Sequence, residues 1–229
     1  DSFVLDRPDD VVVLPYLQAG PGHDVVELAF VQAGRYLVPY GTETVKVTSP
    51  QHLAIDVDGG ESFSGLPMTL IGGLGPNRLT GAYGADVLRG EAGDDWLDGG
   101  YGHDTLTGGA GRDSFYLGSP GSAQAVAEPV VPVPEHQAAL ADSADTFTDF
   151  TPTQDTLVLS AALFSALGAW TGQRIGTATT PFLHYDSNSG ALAYDADGTG
   201  PAAGITIALF GVATHPVELG LDILIVDGL

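Results

Sequence analysis

Asn77, Asp86, Asp95, Asp104 and Asp113 recur nine residues apart, each preceded by glycine-rich sequence and followed by a short run containing an apolar residue. A carboxylate repeated at fixed spacing supplies hard anionic oxygen, which suits either proton transfer or cation binding. Acids are so frequent in this chain that a glycosidase-like carboxylate pair could be drawn from many positions. Cation binding accounts for all five positions together.

The elements around these acids have the same period. Gly72, Gly81, Gly90, Gly99 and Gly108 are nine apart, and so are Gly75, Gly84, Gly93, Gly102 and Gly111. Aligned, the units read GGLGPNRLT, GAYGADVLR, GEAGDDWLD, GGYGHDTLT and GGAGRDSFY, with Leu79, Leu88, Leu97, Leu106 and Phe115 at the eighth position. The glycines permit a tight turn, and the last three residues read as a short strand with its middle side chain turned inward. Two units make one coil, so successive coils stack at about 4.8 Å, the spacing of neighbouring strands. Leu79, Leu97 and Phe115 then form one apolar ladder, and Leu88 and Leu106 the facing one. Asn77, Asp95 and Asp113 share one edge, Asp86 and Asp104 the other.

Carboxylates stacked so closely repel, which predicts a cation between each pair of turns. Calcium fits best: it takes about six to eight oxygens, and a glycine turn can offer carbonyl oxygens beside two Asp side chains. Magnesium prefers more water and stricter octahedral geometry. Zinc favours His or Cys, and the repeats hold only His103 while the chain has no cysteine. A flexible Gly/Asp linker would not keep an apolar residue every nine positions. The spacing also differs from an EF-hand, which needs Asp at alternate positions and Glu at the twelfth.

These units resemble the RTX, or hemolysin-type, calcium-binding nonapeptide G-G-x-G-x-D-x-U-x. The resemblance implies an all-β parallel β-roll with calcium along both edges, in a bacterial protein exported by a type I secretion machinery and folded outside the cell. It implies about three to five Ca2+ ions. Beside Asn77, Asp86, Asp95, Asp104 and Asp113, the implied ligand set takes in turn residues Gly73, Gly75, Ala82, Gly84, Glu91, Gly93, Gly100, Gly102, Gly109 and Gly111. Asn77 replaces Asp in the first unit, and Ala82 and Glu91 replace the second glycine. The Asn77 site is expected to be weaker or capped differently.

Five units make too small a core to stand alone, so both ends need caps. Residues 1–71 carry short alternating apolar runs and read as irregular β-solenoid coils leading into the roll at 72–117, with a separate small β-sandwich as the alternative. A degenerate unit, AGPGHDVVE at Ala19–Glu27, offers Asp24 as an outlying calcium ligand or a plain turn residue. Residues 118–141 are rich in Pro and Ala and read as a mobile loop. In 142–229, the stretch from Ala144 to Phe164 resembles the segment that closes the roll in serralysin-type C-terminal regions, which makes Asp149 and Asp155 candidate ligands for a last calcium. Asp195 and Asp197 in YDADG bind an ion or cap a turn, the turn being preferred. The terminus LDILIVDGL resembles the acidic-then-apolar end of type I secretion substrates, or is simply a core strand.

Composition limits the partners. Across 229 residues, 29 acidic against 7 basic side chains give a net charge of -22, which disfavours nucleic acid and anionic membrane surfaces. No apolar run reaches membrane-spanning length. The chain starts without Met or a leader sequence, which reads as a fragment of a longer protein. No G-x-S-x-G, H-E-x-x-H or Walker motif occurs, so no catalysis is expected from this chain. The parent protein then reads as a secreted protease or lipase, or as an adhesin or surface-layer protein in which this module drives self-association or cell-surface attachment.

Overall fold

The computed structural model describes residues 2–6, 23, 25–38, 42–49, 52–59, 66–117, 144–176, 180–198, 204–211, 216, 218–220 and 222–227. Their strands form two sheets. One holds β1 (Ser2–Leu5), β2 (Val25–Leu28), β4 (Thr44–Val47), β6 (Thr69–Ile71), β8 (Val87–Ala92), β10 (Thr105–Ala110) and β12 (Asp145–Phe147), and is continued by β17 (Ile205–Phe210), β16 (Ala191–Tyr194) and β15 (Leu183–Asp186). The other holds β3 (Gly34–Leu37), β5 (Ile55–Asp58), β7 (Asn77–Thr80), β9 (Trp96–Asp98), β11 (Ser114–Leu117) and β13 (Thr156–Ser160), followed by β18 (Ile223–Val226) and β14 (Arg174–Ile175).

From β2 to β13 successive strands alternate between the sheets, and every pairing among them is parallel. Parallel neighbours within one sheet usually need a long crossover. Within the repeats a glycine turn passes to the opposite sheet instead, so the same-sheet neighbour arrives one coil later: Leu88 pairs with Leu106 and Leu79 with Leu97. This is the parallel β-roll that the nonapeptide period predicts.

The core is two facing columns. One runs Val26, Val45, Leu70, Leu88, Leu106, Phe147 and Phe210; the other runs Tyr36, Val57, Leu79, Leu97, Phe115, Leu157 and Ile223. Leu79, Leu88, Leu97 and Leu106 are all fully buried, each worth about 1.5 to 3 kcal/mol by burial. Toward the C-terminal end, phenylalanines replace leucines, and Phe115, Phe147 and Phe210 pack with centroids 4.9 and 5.2 Å apart. The larger rings fill the interior where the coils meet the cap.

Antiparallel strands end both sheets, with β17, β16 and β15 on one side and β14 beside β18 on the other. β15 and β16 join through a turn containing Gly190 at φ 73°. Asp186 accepts from Asn188 N and Ser189 Oγ in that turn, while Asp195 accepts from the N–H groups of Asp197 and Gly198. Asp195 is therefore a turn cap. Among the described residues, no helix is long and apolar enough to cross a membrane.

Candidate metal centre

Each repeat acid immediately precedes, or in the case of Asn77 begins, its short strand, so the strand register stacks the acids as well as the leucines. On one edge the Asn77 N–H donates to Asp95 Oδ1 at 2.8 Å and the Asp95 N–H to Asp113 Oδ1 at 3.0 Å. On the other, the Asp86 N–H donates to Asp104 Oδ1 at 2.8 Å. Each side chain thus reaches the main chain one coil earlier. Two of them also brace their own turns: Ala82 N–H donates to Asp86 Oδ2 at 2.9 Å, and Gly73 N–H to Asn77 Oδ1 at 2.7 Å.

The rows continue past the repeats. Asp104 N–H donates to Asp145 Oδ1 and Asp113 N–H to Asp155 Oδ1, both at 3.1 Å, while Thr151 N–H donates to Asp155 Oδ2 at 2.7 Å. Asp155 therefore joins the Asp95–Asp113 row. Asp145 joins the other row and was not singled out by sequence reasoning, because it lies 41 residues from its neighbour. The signal available was Asp145-Thr146-Phe147, which repeats the Asp-x-apolar ending of a unit. Asp149 plays a different part, accepting from the N–H groups of Gly108 and Gly109 at 2.9 and 2.8 Å. Asp24 lies outside the described residues.

The first row begins at Asn77 for a local reason. In the coil before it, Ile55 occupies the equivalent place, and Asn77 Nδ2 donates to the Ile55 carbonyl at 2.8 Å. An aspartate has no donor for that oxygen. The row facing it begins at Asp86, whose Oδ1 accepts the Met68 N–H.

Backbone shape explains the turn positions. Gly84, Gly93, Gly102 and Gly111, the fourth residues of their units, have φ of 141°, 131°, 129° and 152°. A Cβ at Gly102 or Gly111 would collide with the carbonyl of Gly84 or Gly93 one coil away, and one at Gly75 would collide with the main chain of His52 and Leu53. At the second position Gly100 and Gly109 have φ of 90° and 100°, and Glu91 is forced to 73°. Ala82 escapes that strain, since its φ is not positive, and it is buried with its carbonyl accepting from Tyr101 N–H.

Burial dominates the electrostatics. Asp86, Asp95, Asp104, Asp113, Asp145 and Asp155 are each at most 5% exposed. Loss of hydration raises the carboxyl of Asp95 to about 7, with the Asp113 and Asp94 charges adding to it. Burial likewise raises Asp104 to about 7, helped by Asp86 and Asp98, and Asp113 to about 6, helped by Asp155 and Asp149. Asp86 and Asp155 also rise through burial, and Asp145 rises well above the usual carboxylate range. Ionised without a counter-charge, these rows work against the fold.

Two oxygens fix the kind of partner required. Asp95 Oδ2 and Asp104 Oδ2 are buried and have no hydrogen-bond partner. A Cβ placed on Gly90 would fall between Asp95 Oδ2 and the Gly108 carbonyl oxygen, and one on Gly99 would fall on Asp104 Oδ2. Glycine at these positions therefore lets each carboxylate pack directly against its turn, with a main-chain carbonyl nearby in the first case. Among the described residues no three His, Cys, Asp or Glu side chains come together as a metal cluster. Carboxylate pairs completed by carbonyl oxygen suit a hard cation of high coordination number, which is calcium rather than zinc.

The model of the RTX calcium-binding nonapeptide repeat, described as four copies, matches residues 69–97 and 89–119. No curated protein matches the chain. Calcium is the ion such repeats bind, and the matched segments contain both orphaned oxygens. Residues 69–119 of this chain match the RTX calcium-binding nonapeptide repeat in sequence and have the stacked turn-and-strand geometry that the repeat predicts.

Proposed function

We propose that this chain is a calcium-operated folding module of a secreted bacterial protein, unfolded during export through a type I secretion machinery and folded where calcium is abundant. The observation that carries it is the double row of buried, in-register carboxylates held by backbone N–H groups, with Asp95 Oδ2 and Asp104 Oδ2 left unpartnered. Asp95 with Asp113, and Asp86 with Asp104, would hold ions between successive coils. Asp145 and Asp155 extend the two rows toward the cap.

Bound calcium supplies the positive charge that the rows lack and stabilises the folded state by RT ln(1 + [L]/Kd), about 2.7 kcal/mol per site at a hundredfold excess over Kd. Three such sites contribute an amount comparable with the whole net stability of a domain, about 5 to 15 kcal/mol. At low calcium the same rows keep the repeats open, the state suited to passage through a narrow channel. The module binds and folds rather than catalyses, and any enzymatic activity belongs to other parts of the parent protein. Three to five ions and an extracellular or cell-surface location complete the reading.

Isothermal titration with calcium at neutral pH tests it. Asp95→Ala and Asp104→Ala should each lower affinity or remove a site, and more strongly than Asp24→Ala. Equal, negligible losses in all three variants would refute the assignment.

A further inference from the structure

The C-terminal strand β18 enters the sheet in the way the repeat strands do, directly after an aspartate. Ile223 pairs with Leu157 of β13, and the residue before it, Asp222, is only 6% exposed. Its carbonyl accepts the Leu157 N–H at 2.8 Å, and its Oδ1 accepts the Thr153 N–H at 3.0 Å. Asp222 Oδ2 is buried and has no hydrogen-bond partner, the condition found at Asp95 and Asp104 in the repeats.

The turn that Asp222 grips is the one that carries Asp155. Phe150 to Val158 imitates a repeat unit without its glycines: Thr151 N–H donates to Asp155 Oδ2 as Ala82 N–H does to Asp86, and Thr153 stands at the fourth position with a φ of 71°. A non-glycine residue holds such a conformation only where its surroundings enforce it. Here the enforcing contacts are the Asp222 and Asp155 carboxylates on either side of the turn, close enough for the Asp222 charge to act on Asp155. Both Asp155 oxygens accept backbone N–H groups, so the oxygen left over in this pair is Asp222 Oδ2.

We propose that Asp155 and Asp222 form a further divalent-cation site, taking calcium, that fastens β18 to the last coil of the roll. It lies beyond the repeat match at 69–119 and joins residues 67 positions apart. The proposal rests on the reading that the carboxylate rows take calcium. β14 pairs with β18 at Arg174 and Leu224, so the site also governs that strand. The end of the chain then docks only after calcium arrives.

Hydrogen exchange read by mass spectrometry on the full chain across a calcium titration separates the claims. In the native sequence, peptides covering 95–117 and 222–227 should both gain protection as calcium rises. Asp222→Asn should leave the 95–117 midpoint within about twofold while moving the 222–227 midpoint at least about tenfold upward, and titration calorimetry should count one ion fewer. An unmoved 222–227 midpoint with unchanged stoichiometry overturns the site; it means that Asp222 serves only as a hydrogen-bond acceptor for the Thr153 turn, which Asn replaces. Should Asp222→Asn leave the cap unfolded at saturating calcium, Asp155→Asn reads the same site from the roll side, and an unmoved 222–227 midpoint there also overturns it. Failure of 95–117 to respond in the native sequence overturns the calcium reading itself, and this proposal with it.

Discussion

In the calcium-free chain, lowering the pH from about 8 to about 5 should make the repeats gain structure rather than lose it. Burial raises Asp95 to about 7, Asp104 to about 7 and Asp113 to about 6, against an ordinary value of 3.8. A carboxyl whose value is higher in the folded state holds more protons there than in the unfolded chain. Its contribution to stability is therefore greatest below the unfolded value near 4 and is lost as pH rises through 6 to 7. At about 1.4 kcal/mol per unit, ionising Asp95 alone costs the metal-free fold roughly 4 kcal/mol. With Asp104 and Asp113 also ionised, the penalty reaches the size of a whole domain's net stability, about 5 to 15 kcal/mol. Far-UV circular dichroism in EGTA, with Trp96 fluorescence to report on the roll, should show β structure growing as pH falls. Calcium affinity should fall over the same interval, because protons and calcium compete for the same oxygens. A metal-free β signal as strong at pH 8 as at pH 5, or one lost on acidification, would refute the reasoning.

Three further outcomes are expected. Glu91→Gly relieves the φ of 73° forced on a non-glycine residue and should stabilise the calcium-loaded chain by about 1 kcal/mol in urea denaturation. Asn77→Asp adds a carboxylate but removes the Nδ2 donor to the Ile55 carbonyl; it should cost about 1 to 3 kcal/mol in metal-free stability, measured by denaturation at pH 5, without adding an ion in calorimetry. Leu97→Ala opens the centre of a fully buried column and should lose about 2 to 5 kcal/mol at saturating calcium, again by urea denaturation.

The centre of this molecule is legible in its sequence because one period governs everything there. Gly84, Asp86 and Leu88 repeat as Gly93, Asp95 and Leu97, so turn, carboxylate row and core column follow from one alignment. The ends are less legible because the period lapses while the geometry persists. β3, with sequence GRYL, completes a coil although it shows no clean apolar alternation. Asp145 stacks on Asp104 from 41 residues away, where no spacing rule points to it. Thr153 adopts a glycine-like backbone without being glycine, which only the surrounding hydrogen bonds reveal. The stacked main chain tolerates such departures while the adjacent coil supplies register. Asn77 marks the start of a row, a role that depends on Ile55 in the coil before it and not on the repeat itself.

Calcium titration of the metal-free chain at neutral pH, followed by far-UV circular dichroism, tests the central claim most directly. A largely disordered repeat signal without calcium, giving way cooperatively to β structure as calcium is added, is the result predicted. A β signal complete in EGTA and unchanged by calcium would contradict it.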